Sequence, residues 1–249
     1  LGDGHNDSPS VTCGDEEVLE VWCDYGKAFG LVPTEFTGES GCRRINLSRK
    51  KGTKQNNYLY SLLKEYNLPY NKHIPEDYLI NSYERRLQLL AGLLDTDGYL
   101  RPDLKSTYEI TSKYIKLADD ISDLARSLGF RVKRTIKVVH GVDYQRLSIS
   151  GNLSIIPCKV PRKSNGRYSI VDNNPNVLSN CSRITSIEYI GKGEYYGFGL
   201  TGNKRFCLDN YTVTHNTEFF KECINHTINS HKLRAGVIFL EEPATKTLK

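Results

Sequence analysis

Leu90-Ala91-Gly92-Leu93-Leu94-Asp95-Thr96-Asp97-Gly98 reads as the last turns of a helix that ends on a carboxylate. Ala91 and Gly92 are small enough for a partner helix to approach closely, and Leu90, Leu93 and Leu94 supply apolar contact. Asp95, Asp97 and Gly98 mark the stop. The stretch therefore predicts a carboxylate at a tightly packed helix end, as a metal-dependent site requires.

Around it lie 249 residues, 38% of them apolar, enough for packed cores in one large domain or several small ones. The longest clean apolar run near the end, Gly236 to Leu240, is far shorter than a bilayer requires, and the first twenty residues lack a basic-then-apolar signal layout. No membrane partner is expected. Seven cysteines (13, 23, 42, 158, 181, 207 and 223) show no Cys-x-x-Cys pair, which favours reduced thiols inside a cell over a zinc site. No methionine occurs anywhere, so the chain reads as a fragment of a longer product. The net charge of +5 is mild, but bases cluster at Arg43, Arg44, Arg49, Lys50, Lys51 and Lys54, at Arg131, Lys133, Arg134 and Lys137, and at Lys159, Arg162 and Lys163. Such clusters suit a polyanion, or simply a solvated face.

Shifting the sequence by 99 positions superimposes Val18, Trp22, Tyr25, Phe29 and Gly30 on Leu117, Ile121, Leu124, Leu128 and Gly129. Both sets have the spacing of a helix burying one face, closed by a glycine. Val11-Thr12 and Ile110-Thr111 lie ahead of these helices. Behind them, Arg44-Ile45-Asn46-Leu47-Ser48 and Arg146-Leu147-Ser148-Ile149-Ser150 alternate like half-buried strands. The chain thus carries two copies of one α/β unit. If Asp97-Gly98 opens the second copy, Asp3-Gly4 opens the first, and an approximate two-fold axis brings Asp3 beside Asp97. Two carboxylates that close repel unless a proton or cation intervenes, and oxygen-only ligation favours Mg2+. The chemistry this implies is metal-assisted attack of water on a phosphodiester. Strands on either side, carrying Arg44, Lys50, Lys51, Arg131, Lys133, Arg134, Arg146 and Lys163, would lie along a double-stranded DNA groove.

The Leu90–Gly98 run resembles the signature of LAGLIDADG (dodecapeptide, DOD-type) homing endonucleases, departing by Leu94 for Ile and Thr96 for Ala. Single-chain members of that family use one acidic residue from each copy to cut both strands of a long DNA site, so the resemblance implies that Asp3 and Asp97 are metal-binding and catalytic. Asn71-Lys72-His73-Ile74-Pro75 resembles the segment that contributes a lysine near the scissile phosphate in intein endonucleases. It makes Lys72 a catalytic candidate, with an exposed lysine before a turn as the plain alternative. Lys163 is a guess for the lysine of the other half.

Downstream, Tyr195 to Leu200 and Tyr211 to Thr214 are β-rich and lead into His215-Asn216-Thr217. An asparagine amide can attack its own backbone carbonyl and cut the chain, given a proton donor such as His215 and a rigid backbone. Thr217 carries a hydroxyl that can first accept the upstream chain as an ester. Tyr196 to Thr217 resembles the C-terminal splicing blocks of inteins, whose Hint domain ends in such β segments. Gly197 and Lys204 or Arg205 stand where many inteins have Asp and His.

Beyond Asn216, Phe220, Cys223, Ile224, Thr227 and Ile228 form a helical stripe, and Ala235 to Leu240 a short strand ending at Glu241. The pattern is either an arbitrary helix and strand or the segment just after the lysine of a P-loop, with Thr217 on magnesium and Glu241 orienting water. It resembles phage-type replicative helicases of the primase-helicase family.

The sequence as a whole predicts an α/β (α+β) chain in three parts. Residues 1–175 are an endonuclease of two repeats, about 1–70 and 71–175; residues 176–216 are the end of a splicing domain; and 217–249 begin a RecA-like host segment. Mg2+ serves the nuclease and ATP only a reconstituted host. The expected partners are double-stranded DNA, the N-terminal intein half and the host helicase, in the cytoplasm of a bacterial or phage-infected cell. The runner-up is a helicase fragment whose nuclease has decayed and only binds DNA. An RNA-binding maturase on the same scaffold is disfavoured by the splicing blocks.

Overall fold

The computed structural model describes residues 1–37, 42–52, 56–103, 106–165 and 167, and beyond them 186, 188, 189, 191, 200–203, 205–208, 211, 213–215 and 228–230. It divides into two compact units, Leu1–Asn180 and Cys181–Lys249.

The first unit is mixed α/β and repeats itself. Its first copy runs β1 (Ser10–Cys13), α1 (Glu16–Ala28), β2 (Val32–Thr37) and β3 (Arg43–Ser48), and then α2 (Tyr58–Glu65). Short α3 (Glu76–Leu79) leads into α4 (Tyr83–Asp97), the signature helix. The second copy runs β4 (Tyr99–Leu100), β5 (Thr107–Ser112), α5 (Ile115–Ser127), β6 (Arg131–Val139) and β7 (Val142–Ser150), then a 3-10 turn at Leu153–Ile155 and α6 (Pro161–Ser164). Both sheets are antiparallel, ordered β1-β3-β2 and β4-β5-β7-β6.

The registers coincide. Ser10 faces Asn46 in the first sheet as Glu109 faces Ser148 in the second, and Val32 faces Ser48 as Arg131 faces Ser150. Even the helix ends match. Gly30 and Gly129 take φ of 68° and 88°, and the next residue, Leu31 or Phe130, donates back to Gly26 or Ala125 at 2.9 and 3.0 Å. A left-handed residue with this long-range bond after it closes a helix with its last carbonyls satisfied.

Ile45 and Leu47 of β3 and Leu147 and Ile149 of β7 face their cores, as the alternation predicted. The first helix departs from its predicted stripe. Val18 and Trp22 of that stripe pack on the core, but Tyr25 and Phe29 are exposed, and Leu19, Cys23 and Gly26 take their place. Gly26 decides this, because a Cβ there would stand 2.3 Å from Leu47 Cδ2. The bare backbone seats Leu47 and rotates the aromatics outward. Trp22 donates its indole N–H to the Ile45 carbonyl at 3.1 Å, which locks the same face.

α4 begins where Ser82 Oγ accepts the Arg85 N–H at 3.3 Å. Leu90, Ala91, Leu93 and Leu94 bury in the larger core with Tyr108, Ile121, Leu124 and Leu147. Gly98 does not cap it in the left-handed region. Its φ of −76° is open to any residue, but a Cβ would meet Leu94 O and Cα at 2.5 and 2.6 Å. Close approach of backbone to backbone, not handedness, requires glycine there.

In the second unit β8 (Arg205–Cys207) pairs antiparallel with β9 (Val213–His215), Arg205 opposite His215. Residues 228–230 are helical. The β-rich stretch 195–199, Asn216, Thr217, the remainder of the predicted helix and the strand ending at Glu241 lie outside the described residues.

Candidate active site at the Asp3 and Asp97 pair

Asp97 is the last residue of α4, and Asp3 lies just ahead of β1, its carbonyl accepting the Thr12 N–H at 3.2 Å. Gly2 makes their meeting possible. A Cβ on Gly2 would fall 2.6 Å from Thr96 Cβ and 3.3 Å from Asp97 Oδ2, so only a glycine lets the Asp3 strand lie against this helix end. Although Asp97 keeps an edge open to water, crowding by protein atoms, and then the charge of Asp3 and a hydrogen bond with it, push its pKa up to about 6. Such a pair holds either a proton or a cation between its carboxylates.

Two lysines flank the pair in related ways. Lys72 Nζ donates to the Gly2 and Gly4 carbonyls at 2.7 and 3.2 Å, bracketing Asp3. Lys163 Nζ donates to the carbonyls of Leu94, Asp95 and Thr96 at 3.2, 2.5 and 2.8 Å, closing α4 immediately before Asp97. Each lysine thus grips the backbone on which its own aspartate rides. Burial lowers both pKa values; for Lys72 the charges of Asp97 and Asp3 oppose that fall. Lys163, expected on the DNA face, is 2% exposed and spends all three protons on carbonyls. A cation at a helix C-terminus offsets the partial negative charge of the last carbonyls.

Sequence reasoning missed the part played by two buried carboxylates, which bind the segments that carry these lysines. Asp95 accepts the backbone N–H of Lys159 at 2.8 Å and of Val160 at 3.2 Å. Asp120 of α5 accepts the Ile74 N–H at 2.9 Å and pairs with Lys116 at 2.6 Å.

Of the bases expected to meet DNA, Arg131, Lys133 and Arg146 share the solvent face of the second sheet, away from Leu147 and Ile149. Lys50 and Lys51 lie just past β3 and are exposed. Arg44 is half-buried on the equivalent face of the first sheet and donates to Asn46 and Ser8 at 3.1 and 3.2 Å. Arg134 is the exception. It stands opposite Leu147 on the helix-covered side, bound to Asp119 and to Gln145. Strand alternation separates it from its neighbour Lys133, a signal present in the sequence.

The face of α4 bearing Ala91 and Gly92 borders a groove of about 800 Å³ lined mostly by apolar side chains, among them Val18, Trp22, Leu59, Leu63 and Leu89. Both copies contribute to it. His215 lies on β9 of the second unit, while Asn216, Thr217 and Glu241 fall outside the described residues, so neither downstream constellation is assembled among the described residues.

Residues 73–155 match the family model for homing endonucleases. The matched stretch spans α3 to the 3-10 turn and includes Asp97, while Asp3, Lys72 and Lys163 fall outside it. The chain is also 32% identical over 141 residues to the replicative DNA helicase DnaB of Mycobacterium intracellulare. The match covers 57% of this chain and 20% of that protein, so the chain spans a fifth of its curated relative. Among solved structures, mesophilic variants of the homing endonuclease I-DmoI align over 57% of this chain and 72% of theirs, with a TM-score of 0.40 and 18% identity. I-DmoI in complex with DNA and Ca aligns over 57% and 68%, with a TM-score of 0.39 and 18% identity.

Proposed function

We propose that the first unit is a divalent-metal-dependent DNA endonuclease that hydrolyses phosphodiesters at the Asp3–Asp97 pair. The observation that carries this is the pair itself: the Asp3 segment lies against the end of α4 so closely that a Cβ on Gly2 would stand 3.3 Å from Asp97 Oδ2, with Lys163 gripping the helix end before Asp97 and Lys72 the carbonyls on either side of Asp3. The donor set fits a hard cation. It is all oxygen, and among the described residues no group of three His, Cys, Asp or Glu gathers that could hold a metal. Two protein carboxylates leave the remaining coordination to water and phosphate, a pattern that suits Mg2+ and not structural zinc.

A cation held by Asp3 and Asp97 supplies Lewis-acid chemistry toward water and phosphate. With its pKa raised to about 6, Asp97 gives up its proton near neutral pH, as a ligand to such a cation would have to. Lys72 uses two protons on carbonyls and keeps its third for a phosphate oxygen or for proton transfer. Lys163 holds the last turn of α4 so that Asp97 faces Asp3. The bases on the outer faces of both sheets neutralise DNA phosphates, and the apolar groove beside Ala91 and Gly92 suits a helix related to α4 by the internal repeat.

The wider reading is of an intein endonuclease within a replicative helicase, supported by the DnaB similarity and by His215-Asn216-Thr217. Cleavage after Asn216, transfer to Thr217 and a magnesium role for Thr217 and Glu241 in the host belong to that reading. The full-length protein is tested for cutting of random-sequence duplex DNA with Mg2+ and with EDTA, alongside Asp97→Asn. Cutting that needs Mg2+ and fails in the variant supports the reading. Undiminished cutting by Asp97→Asn overturns it, and binding without cutting by the wild type favours a decayed nuclease.

A further inference from the structure

Asp95 and Asp120 are almost wholly buried, at 6% and 1% exposure, and neither is bonded to the Asp3–Asp97 pair. A buried carboxylate is costly unless it is satisfied, and each is satisfied by backbone N–H groups of a distant segment. These segments share one property, that each carries a flanking lysine. Asp95 holds Lys159 and Val160, leading directly into α6 and Lys163. Asp120 holds Ile74, two residues after Lys72.

On the first side the contacts close a loop. The α4 carboxylate takes two amides from the 159–160 segment, and three residues later Lys163 returns to three α4 carbonyls. Tyr108 OH donates to the Lys163 carbonyl and fastens the same turn to β5. On the other side the α5 carboxylate fixes Ile74, and Lys72 reaches from there to the carbonyls on either side of Asp3.

Among its described residues the first copy has no such anchors. Under the internal repeat the counterpart of Asp95 is Leu1 and that of Asp120 is Val21, while Pro69, matching Val160, has no N–H to give. Both anchors therefore come from α4 and α5 of the larger core, the first copy's lysine included. Asp3 and Asp97 lie in different copies, yet both lysine grips are referenced to one hydrophobic core.

We infer that Asp95 and Asp120 are positioning residues of the nuclease, Asp95 for Lys163 and Asp120 for Lys72, each setting the reach of its lysine and hence the cutting of one DNA strand. The inference rests on the endonuclease reading above. Loosening one anchor moves its own lysine and leaves the other in place. Supporting residues of this kind typically change activity by roughly 10- to 100-fold.

The test uses the full-length protein and a duplex recovered from a random library by wild-type cutting, end-labelled on each strand in turn. Lys72→Met and Lys163→Met first assign a lysine to each strand. Asp120→Asn is then expected to slow the Lys72 strand and Asp95→Asn the Lys163 strand, each by roughly 10-fold or more. Affinity for the DNA in EDTA stays unchanged, and the other strand keeps its rate. Amide exchange accelerates at Ile74 in Asp120→Asn and at Lys159 and Val160 in Asp95→Asn. Equal slowing of both strands, or faster exchange without any change in cutting, overturns the positioning role. Lysine variants that cut both strands as the wild type does refute the lysine roles in the nuclease reading itself, whatever the aspartate variants do.

Discussion

Asp3→Asn is predicted to stabilise the metal-free protein at neutral pH while removing its ability to hold a cation. Asp97 has its folded pKa raised from 3.8 to about 6, by desolvation first and then by Asp3. A carboxyl raised in this way favours folding less once it ionises, because between the two pKa values the folded state binds the more protons. Stability therefore falls as pH climbs from about 4 to above 6, and is free of the penalty below about 4. The gap corresponds to about 3 kcal/mol before screening, and the water-exposed edge of Asp97 reduces the effective penalty to about 1 kcal/mol. Asp3→Asn removes the charge and hydrogen-bond share and leaves the larger desolvation share, so its gain near neutral pH is less than half of that, under about 0.5 kcal/mol. In a unit of this size that is a rise in Tm of at most about 1–2 °C. Urea unfolding in EDTA at acidic and at slightly alkaline pH, paired with an NMR titration of the Asp97 carboxyl, measures both quantities. The wild type and variant should converge in acid and separate above neutrality. If Asp97 titrates near its ordinary value in the wild type, or the variant is less stable at both pH values, the two carboxyls are not coupled as described.

Gly98→Ala should cost about 1–3 kcal/mol in urea unfolding, since its Cβ would meet the Leu94 backbone, whereas Gly92→Ala, inside α4 with nothing within 4 Å among the described residues, should stabilise this chain by about 0.5–1 kcal/mol. Arg146→Ala and Lys133→Ala should each weaken DNA binding across sequences and lower the salt slope by roughly one, while Arg134→Ala, tied to Asp119 and Gln145, should leave the slope unchanged in fluorescence titrations. Mass spectrometry of the full-length protein should show a product ending at Asn216 that disappears in Asn216→Ala; persistence of that product contradicts the splicing proposal.

The repeat was legible because it rests on periodicity. Ile45 and Leu47, or Leu147 and Ile149, alternate as strands do, and Gly30 and Gly129 punctuate the helices at one spacing. The Asp3–Asp97 pair was legible because a helix end and a repeat register locate it. Tyr25 and Phe29 misled because an apolar stripe identifies a face, but Gly26 allowed an adjacent face to pack closer. Lys163, Asp95 and Asp120 left no periodic trace. A lysine that caps a helix 67 to 69 residues away, or a carboxylate that takes amides 46 to 65 residues away, is defined by tertiary contact alone. The one hint available was Asp95 itself, a charge directly after Leu93 and Leu94 and one turn of helix from Ala91.

Everything proposed for the nuclease depends on Asp3 and Asp97 holding a divalent cation together. Mn2+ binding to the full-length protein, monitored by electron paramagnetic resonance just above neutral pH, reads this out without any need for DNA. A bound ion is expected in the wild type and is lost in Asp3→Asn and in Asp97→Asn alike. Equal Mn2+ binding by all three proteins would contradict the shared site.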